Sequence, residues 1–208
     1  MGSACLFFEL NPRRAILGDI NFDLINVFNV VRDYYKEVHR RVLTLQVSKE
    51  EYYRIRAINP VELDTIEQAA RFIYLNRYCF NGLYRTNSKG QFNVPFSSGK
   101  TGSVPTLETL KSVSSMLKIA ELRCGDFEET ISDATSGDFV YLDPPYTVSG
   151  KRIFREYYPN SFGGNDLHRL KQALDDLDAK NVKFVLSYAY SEEIVIEFNK
   201  WNFVVVKT

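Results

Sequence analysis

Apolar positions along the chain fall into two kinds of stretch. In one kind Val, Ile, Leu and Phe crowd together over a few residues, as in "RRAILGDIN", "LKIAELRCGDF", "DFVYLDPPY", "VKFVLSYAY" and "NFVVVKT". Such short, dense runs predict buried strands. In the other kind they recur every three or four residues. Leu24, Val27, Phe28, Val31, Tyr35 and Val38 do so after Asp19, and helical patterns also span Thr65 to Tyr78, Leu167 to Leu177 and Ser191 to Lys200. Strands alternating with helices predict an α/β layer fold, a mostly parallel sheet covered by helices. The stretch from Leu43 to Leu117 breaks the rhythm. It holds the Thr65 to Tyr78 helix and then "NGLYRTNSKGQFNVPFSSGKTGSVP", dense in turn residues, with Ser88-Lys89-Gly90 as a hairpin tip. It reads as an inserted lobe, with no internal repeat or low-complexity segment anywhere.

Composition narrows the picture. A chain of 208 residues with 45% apolar and 25% charged residues can bury one sizeable core and a smaller lobe, as soluble globular proteins do. No apolar run could span a bilayer, and "MGSACLFFELNPRR" lacks the basic region of a secretory signal. Cys5, Cys79 and Cys124 have no CxxC spacing and are expected to be reduced, buried thiols of a cytoplasmic protein. The formal net charge is zero, which excludes a generally polycationic nucleic-acid binder. The distribution of charge says more. From Gln68 to Leu107 there is no Asp or Glu, while Arg71, Arg77, Arg85, Lys89 and Lys100 lie in that window. One basic segment on a neutral protein suits phosphate contact through a single face, although a solvated basic helix and hairpin would look the same.

Candidate chemistry sits at strand ends. "YLDPPY" closes an apolar run with a carboxylate, two prolines and an aromatic ring. Proline has no N–H and pushes its predecessor into extended geometry, so this segment must leave the sheet as a stiff turn rich in acceptors. Acceptors beside a flat ring suit a ligand that donates two hydrogen bonds from one nitrogen, such as the exocyclic amine of a nucleobase. Ordinary loop punctuation is the alternative. Asp19, Asp126 and Asp143 each end a strand-like run, so in a parallel sheet they are expected to converge on one rim, where α/β folds bind ligands. Alone, each could be a helix N-cap.

With these pieces together, the sequence resembles the Dam-type DNA adenine-N6 methyltransferases over nearly all of its length. The residues that carry the likeness are "LGDIN" at 17–21, "LNRYCFNGLYRTNSKGQFNVPF" at 75–96, "CGDF" at 124–127, "LDPPY" at 142–146, "NSF" at 160–162 and "FVLSY" at 184–188. The resemblance implies a Rossmann-like S-adenosylmethionine-dependent methyltransferase sheet (residues 1–42 and 118–208) with an inserted helical and β-hairpin target-recognition lobe (43–117). It implies S-adenosylmethionine as cofactor, double-stranded DNA as partner and a GATC-like site, with the target adenine flipped into the pocket. Gly2 matches the cofactor loop; Asp19 would hold the cofactor ribose, Asp126 its adenine amine, and Phe127 would pack near that ring. Asp143 and the Pro144 carbonyl would accept the two hydrogens of the target amine, in a DPPY motif completed by Pro145 and by Tyr146, which stacks on the base; Phe162 would pack beside it. Phe80, Asn81, Leu83, Arg85 and Pro95 would face DNA, with Phe80 as a wedge between base steps and Arg85 suited to guanine. Phe72 and Tyr74 are expected in the lobe core, no metal is required, and His39 and His168 are expected to be structural.

The beginning of the chain departs from the pattern. Gly2 stands at the first glycine of the family's FxGxG loop and Ala4 where the second usually is, and the strand that leads into the loop is not in the sequence. The expectation is a chain truncated at both ends, in which "ACLFFEL" is pressed into the sheet or a second chain supplies the strand; otherwise it would be a monomer. Two competing readings follow: a cytosine-N4 amino-methyltransferase, and an inactive remnant that at most binds DNA.

Overall fold

The computed structural model describes residues 1–99, 102–145 and 164–206. The chain forms two compact units, Met1–Thr130 and Ile131–Thr208. It is a mixed α/β protein whose described strands form two small parallel sheets, one in each unit.

In the first unit β1 (Ala15–Asp19) pairs in parallel with β2 (Ala120–Cys124), in a register running from Ala15 opposite Ala120 to Asp19 opposite Cys124. Between them in sequence lie the helices α2 (Phe22–Leu43), α3 (Lys49–Ala57), α4 (Thr65–Tyr78) and α5 (Leu107–Leu117). Each begins at a side-chain cap: Asn21, Ser48, Asp64 and Thr106 accept an N–H from the first turn. These caps take up N–H groups that the helix cannot satisfy internally. Val27, Val31 and Val38 are buried on α2 as the spacing predicts, joined by Ile25, Val30 and Val42. The extra positions widen the apolar face because α2 packs against both α4 and α5. Helices on both sides of residue 43 therefore share one core.

A second core cluster holds Tyr52 and Ile55 of α3, Tyr74, Leu75 and Tyr78 of α4, and Val94 of the segment that follows. Tyr74 is fully buried in this cluster, whereas Phe72, expected in the lobe core, packs against the first cluster, to which α2 contributes. "ACLFFEL", by contrast, is no strand. Cys5–Leu10 is a short helix, α1, bounded by Ala4 and Asn11 in the left-handed region, and it buries Phe7 against Leu117 and Ala120. The thiols are also corrected: Cys79 is buried, but Cys5 on α1 and Cys124 at the end of β2 are exposed.

In the second unit β3 (Phe139–Leu142) pairs in parallel with β4 (Lys183–Leu186), joined through α7 (Gly164–Ala179). α7 buries Leu170, Ala173, Leu174 and Leu177, and α8 (Glu192–Glu197) follows with Ser191 as its cap. Trp201 packs edge-on against Phe184 at 5.6 Å, and Lys200 bridges Asp175 and Asp178 at 2.9 Å each. The apolar run at 203–206 is exposed and outside any described strand, because a strand needs a neighbour to take its backbone groups. No helix among the described residues is long and apolar enough to cross a membrane.

Candidate functional site

Asp19 and Asp126 leave neighbouring ends of the β1–β2 pair. Asp19 is the last residue of β1; Asp126 lies two residues beyond Cys124, its ladder partner, and the Gly125 N–H donates to the Asp19 carbonyl at 3.1 Å. The Asp19 carboxylate is turned into the chain's first residues. Its Oδ2 accepts from the Met1 amine at 3.1 Å and the Gly2 N–H at 3.0 Å, and its Oδ1 accepts the Asn21 N–H at 3.0 Å. Asn21, rather than Asp19, caps α2, so Asp19 is not explained as a helix cap. Gly2 is exposed at φ 54°, and open space lies where a Cβ would be.

Asp126 opens α6 (Phe127–Ile131) and accepts the Glu128 N–H at 3.0 Å, so it does act as a local cap with one oxygen. Its carbonyl accepts both the N–H and the hydroxyl of Thr130, at 3.1 and 3.0 Å. Gly18 makes this close packing possible, because a Cβ there would overlap the Thr130 side chain. Phe127 is half-buried.

Asp143, Pro144 and Pro145 follow β3 directly, after a last ladder bond from Ser187 N to the Leu142 carbonyl at 2.8 Å. Asp143 and Pro145 are exposed and Pro144 is half-buried. These residues belong to the second unit and Asp19 and Asp126 to the first. Tyr146 and Phe162 lie outside the described residues.

Of the basic window, Arg71 and Arg77 lie on α4, Arg85 and Lys89 lie on an antiparallel ribbon, and Lys100 lies outside the described residues. α4 ends at Cys79, where the chain turns extended, and segments 79–86 and 92–96 run against one another through bridges at Cys79–Phe96 and Thr86–Phe92. Phe80 N donates to the Pro95 carbonyl at 2.9 Å, and Asn93 N to the Arg85 carbonyl at 3.0 Å. Between them Asn87 closes the tip: its side chain accepts from Lys89 and Gln91, and Gly90 takes φ 75°. Phe80, Asn81, Leu83, Arg85 and Pro95 therefore share one ribbon. Phe80 is half exposed on a backbone held by consecutive positive φ angles at Asn81 and Gly82 and by Asn76, which donates to the Gly82 carbonyl at 3.0 Å. Leu83 instead packs against the core cluster of α3 and α4.

Several residues that sequence reasoning passed over hold this ribbon in place. Asn93 accepts from Arg85 Nε at 2.7 Å, fixing the direction of the guanidinium. The Val94 carbonyl accepts from the Tyr52 hydroxyl at 2.9 Å and from Arg56 Nη1 at 3.1 Å. Burial raises the Tyr52 phenol far above its ordinary pKa, the charge of Cys79 adding to the effect. Arg71, expected in the basic face, is instead buried and donates to the carbonyls of Ile55 and Arg56 at 3.1 and 3.0 Å, at the end of α3. Burial lowers its pKa, and Asp23 and Tyr84 oppose that shift. The only signal in the sequence for this support is that Asn93 and Val94 lie within the quoted "FNVPF".

The family model for D12 class N6 adenine-specific DNA methyltransferases matches residues 1–208. A Type II methyltransferase of Lactococcus lactis subsp. cremoris, M1.LlaDCHI, is 36% identical over 96% of this chain and 74% of its own length. The Type II methyltransferase M.MjaIII of Methanocaldococcus jannaschii is 34% identical over 91% of this chain and 71% of its own. The DNA adenine methylase of Escherichia coli is 32% identical over 90% of this chain and 69% of its own.

Proposed function

The chain belongs to the D12 class N6 adenine-specific DNA methyltransferases, whose reaction is methylation of adenine N6 in DNA, and from that premise we propose how its residues divide the work. The observation that carries the reading is the delivery of two carboxylates, Asp19 and Asp126, at adjacent ends of one parallel strand pair. This is the position where α/β folds bind nucleoside-bearing cofactors.

The donor set fits S-adenosylmethionine. A carboxylate offers about four acceptor positions. Three on Asp19 are filled by the Met1 amine and the N–H groups of Gly2 and Asn21, so Asp19 would hold a ribose hydroxyl at the fourth. Gly2 gives the cofactor room to lie against the backbone. Asp126 accepts from the adenine amine while Phe127 packs near the ring. When bound, the cofactor supplies a methyl group activated by a sulfonium.

The DPPY segment, which follows β3 in the second unit, handles the target. An adenine amine is a poor nucleophile because its lone pair is delocalised into the ring. Asp143 and the Pro144 carbonyl accept its two hydrogens and so favour a tetrahedral nitrogen with the lone pair aimed at the methyl carbon, which is catalysis by positioning and electrostatics. Pro145 stiffens the turn and Tyr146 stacks on the flipped base. A carboxylate is too weak a base to deprotonate the amine beforehand, so the proton would pass to Asp143 and on to solvent only as the nitrogen gains its methyl group and becomes cationic. The ribbon reads the duplex: Phe80 wedges a base step beside Asn81 and Pro95, Leu83 supports the turn, and Arg85 addresses guanine in a GATC-like site.

Calorimetric titration with S-adenosylmethionine tests the cradle, with Asp126→Ala as control. Saturable binding that the substitution abolishes is expected, followed by transfer of labelled methyl to a GATC duplex and not to one already methylated at both adenines. Absence of binding to a folded chain would overturn the assignment of the cradle.

A further inference from the structure

Tyr84 lies next to Arg85 on the ribbon but faces the other way, into the first unit. Its ring stacks on Phe72, with centroids 5.3 Å apart and planes 26° apart, and meets Phe92 on the ribbon's other strand at 5.7 Å. Its hydroxyl donates to Asp23 Oδ2 at 3.1 Å, across 61 residues of sequence. Asp23 stands in the first turn of α2, two residues after Asn21, whose N–H is bound to the Asp19 carboxylate. A negative charge in a first turn is favoured by the helix dipole, and the buried Arg71 guanidinium lies close enough for its charge to interact with both Asp23 and Tyr84. One short path therefore runs from Arg85 through Tyr84 and Asp23 to the start of α2 and on to Asp19. Tyr84–Asp23 and Asn21–Asp19 are hydrogen bonds, and Asp23 and Asn21 are joined through Phe22 at the start of α2, all within one unit.

Packing alone would explain the aromatic ring, but not the hydroxyl. A phenylalanine would fill the same space between Phe72 and Phe92, whereas the hydroxyl fixes the ribbon to one point on α2. A displacement of the ribbon by DNA must pull on that point or be resisted by it.

We propose that Tyr84 is a positioning residue whose hydrogen bond to Asp23 couples DNA engagement by the ribbon to cofactor binding at Asp19. The proposal rests on the assignment of Arg85 to DNA and of Asp19 to the cofactor. Coupling between two sites is reciprocal, so it can be read as the factor by which duplex changes cofactor affinity, about 5- to 150-fold in typical cases.

The test measures the dissociation constant of S-adenosylmethionine with and without a saturating GATC duplex, in the full chain and in Tyr84→Phe. Tyr84→Phe keeps the ring and removes only the hydroxyl. The expected result is a coupling factor reduced at least threefold toward one, with each ligand's affinity alone kept within about twofold, since neither contacts the hydroxyl directly. Asp23→Asn keeps an acceptor oxygen and should retain the coupling, while Asp23→Ala should lose it. Thermal unfolding of each variant separates coupling from loss of fold. A coupling factor unchanged in Tyr84→Phe, or equal to one in the unsubstituted chain, overturns the proposal and leaves the site assignments standing. Failure of the unsubstituted, folded chain to bind either ligand overturns the assignments and the coupling together.

Discussion

The Val94 carbonyl is the point where the ribbon proposed to read DNA is fastened to α3, and its two donors make a sharp test. Val94 and Tyr52 are 1% and 0% exposed, so neither group can turn to bulk water. Tyr52→Phe removes the 2.9 Å bond and Arg56→Met the 3.1 Å bond together with the guanidinium 4.6 Å over the Tyr53 ring, a loss shared by the single and double variants that cancels in the coupling. Either substitution leaves one donor on the carbonyl, so each should cost about 1 kcal/mol, the ordinary net value of one hydrogen bond. The double variant leaves a buried acceptor bare, which costs about 1–3 kcal/mol in its own right. Its total should therefore be about 3 kcal/mol rather than the additive value of about 2, a coupling of about 1 kcal/mol. Urea unfolding of the four proteins measures this, and each single variant should melt about 2–4 °C lower. In the same set, duplex binding should fall most in the double variant while cofactor binding is unchanged, because Asp19 and Asp126 lie on other elements. A double variant whose cost is additive or smaller would refute the reasoning, since it would mean that water or another donor reaches the carbonyl.

Three further outcomes are expected. Arg85→Glu should abolish discrimination between a GATC duplex and a single-base variant of it, a loss of about 1–3 kcal/mol of specificity, and Asn93→Ala should lose part of it by releasing Nε; competition binding at fixed salt reads both. Burial pushes the Tyr74 phenol up to about 12 from 10.0. Its contribution to stability is complete below the unfolded pKa near 10 and is lost as pH rises toward 12, because only the unfolded chain releases the proton in that window. Urea midpoints from pH 9 to 11.5 should fall, and less steeply in Tyr74→Phe. Finally, a thiol reagent at pH 8 should modify Cys5 and Cys124 in the folded protein and Cys79 only after denaturant is added, because Cys79 is buried and desolvation raises its pKa.

The sequence by itself determined the elements and the family. Periodicity located α4, α7 and α8, because a helix that buries one face must repeat its apolar residues at its own period, and dense apolar runs located the strands β1 to β4. The caps at Asn21, Ser48, Asp64, Thr106 and Ser191 are likewise local chemistry. The candidate residues were legible because their motifs are contiguous: "LGDIN", "CGDF", "LDPPY" and "FNVPF" each place chemistry within a few positions. Tertiary structure decided what depends on distant partners. "ACLFFEL" has the density of a strand, yet it becomes a helix because Phe7 finds Leu117 and Ala120, while 203–206 has the same density and no described strand partner. The exposure of Cys5 and Cys124 depends on what packs over them, which no spacing rule carries. The supports of the ribbon were equally hidden: Tyr52 meets Val94 across 42 residues and Tyr84 meets Asp23 across 61. A hydrogen bond between groups so far apart in the chain leaves no local pattern, since its geometry exists only after the helices between them have packed.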